Sequence, residues 1–262
     1  MLEKPPAYRR KKRLRKQESP NPRFRRLSQA NAAWMQVNEM LTGSRLLRGM
    51  AAIGGVRRSF ENTSAQWVAL RDTLRQRREE FERFIELAMS ASTAIDRLET
   101  TGILPHKEAY RLGIVGIAAR ASGIARDWRR DHPHCYYPHL QFKTVQREKG
   151  DVLARMNVRI DEVRESFSIL EQLQDHYGHE PITARSESHA AGGYALGYVE
   201  GWRGEIVHWV MLDKQGKIYR WKITDPSSHN WRALKVAVLN NIVPDFPVIN
   251  KSFNLSYSGN DR

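Results

Sequence analysis

The sequence predicts an α+β fold, a mainly helical body with long amphipathic helices that carries a small antiparallel sheet. Two observations predict it. Apolar residues recur every three or four positions in two long segments, and after Gly192-Gly193 the spacing changes to the alternation typical of strands. The chain has 262 residues, 40% of them hydrophobic, and a chain of this size can bury one large core or two modest ones.

The positive charge is concentrated in residues 1–30, where eleven Lys or Arg residues stand against two Glu residues, a local charge of +9 out of +14. A block of one charge sign does not fold by itself. We therefore expect residues 1–33 to be a basic, disordered tail and residues 34–262 to be the folded domain. A solvated tail is the simpler interpretation and polyanion binding the alternative. No zinc-finger spacing or aromatic RNA-binding signature follows the tail, so nucleic acid is the least favoured partner.

Helical periodicity dominates from about residue 34 to residue 130. Its clearest stretch runs from Trp67 to Ala88, with Arg, Glu and Gln between the apolar positions. A second long helix is predicted at about 151–177, where Ile160, Val163 and Phe167 begin the periodic series. The aromatic and proline-bearing residues 132–150 between them are typical of a packed loop.

Three strands are predicted after Gly193, at Tyr194–Glu200, Glu205–Asp213 and Lys217–Ile223. The sequence Asp213-Lys-Gln-Gly216 is a candidate hairpin turn. A short helix at about 230–240 and a closing tail complete the prediction.

Metal and nucleotide motifs are weak in this chain. His132, His134, Cys135 and His139 match no common zinc spacing, and the pair His176 and His179 is weaker still. The glycines at 192, 193 and 197 precede or lie within a strand, so they make no dinucleotide fingerprint. The single cysteine excludes a disulfide framework and a thiolate-held metal cluster, and favours a reducing compartment. We expect Cys135 to be a buried or half-buried thiol.

One short segment indicates more. In Glu200-Gly-Trp-Arg-Gly-Glu205 an arginine stands between two glycines and directly before a predicted strand. A guanidinium fixed there suits an anion, a carboxylate or a redox centre that gains negative charge. The alternative is that Arg203 pairs with Glu200 or Glu205, and the residues alone do not decide between the two.

The same segment carries a family resemblance. Glu200-Gly-Trp-Arg-Gly-Glu-Ile-Val-His-Trp209 resembles the Glu-Ala-Pro-Arg-Gly-x-x-x-His-Trp motif of nickel–iron hydrogenase large subunits and the equivalent segment of the large quinone-module subunit of respiratory complex I. Further counterparts, in the same order, cover about Val37 to Arg262. They are Leu41-Thr-Gly-Ser-Arg45, Gly113-Ile-Val-Gly116, Gly150-Asp151-x-x-x-Arg155-x-x-x-Arg159-x-x-Glu162 and Asp245-Phe-Pro-x-x-Asn250. The motif Asp245-Phe-Pro-x-x-Asn250 is similar to that of the energy-converting hydrogenase branch, which includes the large subunits of formate hydrogenlyase and hydrogenase-4.

The C-terminal residues depart from the hydrogenase pattern. Where that pattern has Asp-Pro-Cys-x-x-Cys, with cysteines that bind nickel and iron, this chain has Asn254, Leu255, Ser256 and Gly259. A neutral hydroxyl does not replace a bridging thiolate. The resemblance therefore implies a vacated metal site with no metal bound, as in the large quinone-module subunit of complex I, where this region belongs to the quinone cavity.

Site residues follow from the resemblance as expectations. Arg203 is the candidate catalytic residue, facing the vacated site. The expected lining residues are Glu200, His208, Asn254, Ser256, Ser258 and Asp261.

The resemblance also implies a setting. We expect a component of an oxidoreductase acting on NAD(P)H and quinone that is not active alone and binds no cofactor of its own except a quinone. Electrons would come from an iron–sulfur cluster in a small partner subunit, and membrane ion-pumping subunits would complete the assembly on the cytoplasmic face of the inner membrane. The alternative is a non-catalytic structural or assembly subunit, or an inactive remnant.

The chain lacks counterparts of the family's N-terminal half. The sequence leaves two interpretations, a separate polypeptide that supplies this half or a truncated gene, and the compositionally irregular residues 1–30 favour truncation.

Overall fold

The computed structural model describes residues 22–57, 64–176 and 192–261. These residues belong to two compact units, divided between residues 61 and 62. The first unit holds helix α1 (Pro22–Thr42) and a two-stranded antiparallel ribbon of β1 (Ala51–Ala52) and β2 (Gly55–Val56). Residues 1–21 of the expected basic tail lie outside the described residues, and α1 spans the boundary expected between residues 33 and 34.

The second unit is mainly helical. Two long helices, α2 (Ser64–Met89) and α7 (Val152–His176), confirm the two periodic segments of the sequence. The shorter helices are α3 (Ser92–Leu98), α4 (His106–Arg111), α5 (Gly116–Ala121), α6 (Trp128–Asp131), α8 (Pro226–Ala237), α9 (Phe246–Phe253) and α10 (Tyr257–Asn260). Among the described helices, none is long and apolar enough to cross a membrane.

A three-stranded antiparallel sheet completes the second unit, in the order β3 (Tyr194–Gly201), β4 (Gly204–Leu212) and β5 (Ile218–Thr224). The pairing of Gly201 with Gly204 leaves Trp202 and Arg203 as the two-residue turn of the β3–β4 hairpin. The predicted turn after β4 is present, since the Gly216 amide donates to the Asp213 carbonyl at 3.0 Å. The predicted α+β class is therefore confirmed.

The core of this unit surrounds α5, whose six residues are all buried. One apolar cluster joins α5 to α4, α8 and α9, and its members include Leu104, Ile114, Ala118, Leu234, Ile249 and Phe253. A second joins the other side of α5 to α7, through Ile117, Ala121, Ala154 and Val158. Because α5 is enclosed on both sides, its one charged residue, Arg120, is also enclosed.

Three details differ from the sequence predictions. Helix α8 begins at Pro226 rather than near residue 230, because Asp225 caps it and proline suits the first helical position. The closing tail contains the two helices α9 and α10. Cys135 is exposed, with a φ of 52°, so the expectation of a buried or half-buried thiol is wrong.

Candidate functional site

The tip of the β3–β4 hairpin lies directly on the start of α5. Two glycines with positive φ make this possible, Gly116 at 65° and Gly204 at 136°. A Cβ on Gly116 would overlap the Arg203 carbonyl, and one on Gly204 would come within 2.9 Å of Val115 Cγ2. The backbone of Arg203 is therefore fixed by a close approach that only glycine permits.

The Arg203 side chain is half-buried and points to the end of α9. Its Nε donates to the backbone carbonyl of Asn254 at 2.5 Å, and its guanidinium lies 4.9 Å from the centroid of the Trp202 ring. Asn254 caps α9 in the left-handed conformation, with a φ of 51°. A cation here meets unpaired carbonyls and the negative end of the helix dipole. The alternative that Arg203 pairs with Glu200 or Glu205 is wrong, because those two carboxylates bind Arg120 and Arg126.

Two arginines of α7 reach the same helix end. Arg155 Nε donates to Ser252 Oγ at 2.8 Å, and Arg159 Nη2 donates to the Ser252 carbonyl at 2.6 Å. Arg155 is fully buried and also donates to the carbonyls of Gly150 and Gly102. Burial, with repulsion from Arg159, lowers the pKa of Arg155 to about 9, so it stays charged at neutral pH. The end of α9 is thus surrounded by three guanidiniums that donate to carbonyl and hydroxyl oxygens.

The serine at the expected metal-cysteine position has a capping role. Ser256 Oγ accepts from the Gly259 amide at 3.1 Å at the start of α10 and lies 3.1 Å from Ser258 Oγ. Gly259 packs on Asp225, and a Cβ there would come within 2.5 Å of the Asp225 carboxylate. The two metal-cysteine positions hold a serine and a glycine, which supply one neutral hydroxyl and no thiolate, and this does not fit nickel.

The expected site residues are only partly brought together. Arg203 meets Asn254, and Ser256 and Ser258 meet each other. Asp261 is exposed at the end of α10. His208 accepts from Trp221 Nε1 at 3.1 Å, and four residues of strand, about 13 Å, separate it from Gly204 at the hairpin tip.

Glu200 also lies apart from Arg203, in a buried charge cluster centred on Arg120. Arg120 donates through Nε to Glu162 at 2.7 Å and through Nη1 to Glu200 at 2.9 Å. Arg129 Nη2 donates to Asp127 beside them at 2.6 Å. The sequence prediction missed Arg120, although a lone arginine in the apolar run Gly116–Ala121 is the available signal.

Burial acts differently on the three carboxyl groups of this cluster. It raises the pKa of Glu162 and Glu200, and the attraction of Arg120 offsets this only in part. Burial opposes the charge of Asp127 as well, but the hydrogen bonds and charge of Arg129, together with Arg120, keep its pKa below the ordinary value. Asp127 is therefore ionised, whereas the two glutamates compete for one cation.

The histidines of residues 132–139 pack with aromatic rings. His132 lies 4.5 Å from Trp128 and His134 lies 5.5 Å from Tyr137, measured between ring centroids. Tyr198 of β3 packs on both Trp128 and His132, with ring centroids 4.5 and 5.8 Å away. No group of three or more His, Cys, Asp or Glu residues in the described part of the chain is arranged to hold a metal ion.

Comparison with known families identifies the family of this chain. Residues 26–192 and 184–262 match the family described as the respiratory-chain NADH dehydrogenase 49 Kd subunit. The chain belongs to this family, which confirms the resemblance given by the motifs.

The matched relatives are subunits of complex I-like hydrogenases and oxidoreductases. The chain is 32% identical to formate hydrogenlyase subunit 5 of Escherichia coli over 228 residues, 87% of this chain and 40% of that protein. It is 31% identical to the membrane-bound hydrogenase subunit alpha of Pyrococcus furiosus over 245 residues, 87% of this chain and 57% of that protein. The chain thus spans about half the length of these relatives.

A solved structure shares the fold. A chain of the membrane-bound sulfane sulfur reductase, an archaeal respiratory membrane complex, superposes with a TM-score of 0.83 at 28% identity, covering 91% of this chain and 66% of that one. The helical body with its small sheet is therefore the fold of a subunit from a respiratory membrane complex.

Proposed function

We propose that the chain is a large-subunit-like component of a membrane-associated, complex I-like redox complex, with a quinone facing Arg203. The observation that carries the proposal is the placement of Arg203, fixed by the hairpin tip and bonded to Asn254 at 2.5 Å. That hydrogen bond uses Nε and leaves both terminal nitrogens able to donate to a ligand. Ser256 and Gly259 stand where thiolates would be needed, so the site favours an organic ligand over nickel.

The proposed setting follows from the family. Electrons would be supplied by an iron–sulfur cluster in a small partner subunit, and a guanidinium beside the quinone head group would stabilise the negative charge that each electron adds. Membrane ion-pumping subunits are the other proposed partners. Such a complex would hold this chain peripherally on the cytoplasmic face of the inner membrane, where it would act on NAD(P)H-derived electrons only as part of the assembly.

Removing the Arg203 side chain tests the proposal. In the assembled complex, Arg203→Ala should lower quinone-dependent turnover about 100-fold, the effect of losing one preorganised charge-stabilising group. Arg203→Gln keeps a hydrogen-bond donor without the charge, and its complex should also assemble but keep the low turnover. Arg111→Ala, which removes an exposed arginine paired with Glu108, is the matched control and should leave turnover unchanged.

A structural or assembly role is the second candidate. It is supported by the same hydrogen bond, because Arg203 also caps α9 and ties the hairpin to it. Wild-type turnover in an intact Arg203→Ala complex would overturn the quinone role and favour this one.

A further inference from the structure

Two buried carboxylates depend on one guanidinium. Glu162 of α7 and Glu200 of β3 reach Arg120 of α5 from different sides, at 2.7 and 2.9 Å. Arg120 is only 1% exposed, the Glu200 side chain is 5% exposed, and the Glu162 side chain is partly buried at 19% exposed. Each glutamate uses a separate nitrogen of the same fork, so neither has the bidentate pair that stabilises a buried carboxylate best.

The other hydrogen bonds of the two carboxylates are few. Glu200 Oε2 accepts from the Trp128 amide at 3.3 Å, which is long for a hydrogen bond to a charged oxygen. Within the described residues the Glu162 carboxylate accepts a hydrogen bond from Arg120 alone. A buried carboxylate that lacks its own cation and a full set of donors favours the neutral form.

The neighbouring charges are already engaged. Asp127 and Arg129 form a bidentate pair, and Arg126 binds Glu205 at the outer edge of the cluster. Arg159 attracts Glu162 through space, but its guanidinium donates to the carbonyls of Arg155 and Ser252. Arg126 and Arg129 are thus paired with other carboxylates, and Arg159 and Arg129 act on Glu162 only through space. In the part of the chain that the structure describes, Arg120 is the one guanidinium that hydrogen-bonds to both Glu162 and Glu200.

We propose that Glu162 and Glu200 form a buried proton-binding site, in which the pair holds one proton across Arg120. With the proton bound, the two carboxyl groups and the guanidinium carry no net charge; when it leaves for solvent, they carry one negative charge. The raised pKa of both carboxyl groups, caused by burial, agrees with this. Because the groups are coupled through Arg120, the proton belongs to the pair rather than to either residue. The inference does not depend on a quinone beside Arg203.

Infrared difference spectroscopy of the full chain during a pH titration tests the proposal. A neutral carboxyl group has a carbonyl stretching band that a carboxylate lacks. In the wild type, one such band should persist at pH values well above the ordinary glutamate pKa of about 4.3. The band should shift in frequency when the glutamates are labelled with carbon-13. Glu162→Gln or Glu200→Gln should each abolish it, because the remaining carboxylate then has Arg120 to itself.

Glu82→Gln is the matched control. Glu82 also pairs with one arginine, Arg164, but lies at the surface, and the hydrogen bond from Arg164 lowers its pKa. Its substitution should leave the persistent band in place. A wild type in which every glutamate band vanishes within the ordinary range overturns the proposal, even if the two glutamine variants do not fold. A band that persists in both glutamine variants also overturns it.

Discussion

Asp127 is the residue on which two local structures depend. Its Oδ1 caps α6 by accepting from the Arg129 amide at 3.0 Å, and its carboxylate pairs with the Arg129 guanidinium. It is 1% exposed. A single side chain here satisfies a helix end and neutralises a cation, so its loss leaves both unpaired.

We predict that Asp127→Asn destabilises the chain by about 3 kcal/mol, the cost of breaking a buried pair by removing one partner. Burial opposes the charge of Asp127, but Arg129 and Arg120 keep its pKa low. The stability that this group contributes is therefore present above the ordinary aspartate pKa of about 3.9 and is lost as the pH falls through the lowered value.

Urea unfolding at neutral and acidic pH measures this effect. The variant should lose less stability than the wild type in the acid range, because it lacks the titrating group. Asp72→Asn removes an exposed carboxylate paired with Arg75 and should cost less than about 1 kcal/mol. Equal losses in the two variants would contradict the importance of the buried pair.

At the residue scale, the sequence identifies Arg203 as a candidate site residue because two glycines flank it and a predicted strand follows. It groups Glu200 and His208 with Arg203 because all three belong to one motif. In an antiparallel hairpin, however, the distance along the strand and the side of the sheet decide which residues meet. Glu200 therefore binds Arg120, a partner 80 residues away.

At the scale of elements, the site depends on how closely the β3–β4 hairpin approaches α5. Gly116 provides this approach, since its φ is 65° and a Cβ there would overlap the Arg203 carbonyl. Gly113, three residues earlier, has a similar φ of 63° but no atom within 4 Å of its Cβ position. A side chain would therefore meet the same backbone strain at both positions, but only at Gly116 would it also collide with the hairpin.

We predict that Gly116→Ala lowers the free energy of unfolding by about 2–4 kcal/mol, from left-handed strain plus displacement of the hairpin. Gly113→Ala should cost about 1–2 kcal/mol, from strain alone. Thermal or urea unfolding of both variants gives the difference. If the two substitutions cost the same, the hairpin does not press on α5.

Element length explains which helices are predictable. Helices α2 and α7 have 26 and 25 residues, long enough for a 3.6-residue period to be unmistakable. Helices α9 and α10 have eight and four residues, so tertiary contacts rather than periodicity determine them. The start of α8 has a local signal that the predicted start near residue 230 misses, Asp225-Pro226, a capping residue followed by a favourable first residue.

At the scale of the whole molecule, the order of the motifs along the sequence identifies the family and the fold class. It does not show which segments meet in space. The charge cluster joins α5, α7, β3 and the residues before α6, and no sequence pattern records that these four segments meet. The family match over most of the chain adds the redox context but does not assign the cluster.

We predict that a purified complex containing this chain binds no nickel at the site beside Arg203. The hydroxyl of Ser256 already caps α10, and Gly259 packs on Asp225, so neither position offers a soft ligand. Mass-spectrometric elemental analysis checks this, with the nickel content expressed per mole of the chain. Nickel bound here in a 1:1 ratio to the chain would overturn the interpretation of Ser256 and Gly259.

The three arginines at the end of α9 also have a consequence for the order of events during synthesis. Arg155 and Arg159 emerge from the ribosome 97 and 93 residues before their acceptor, Ser252. Synthesis proceeds at about 5–20 residues per second, so the segment that contains Ser252 is made roughly 5–20 s after α7. During that interval two cations destined for burial are without their final acceptors, so the docking of α9 is a late event in the folding of this chain.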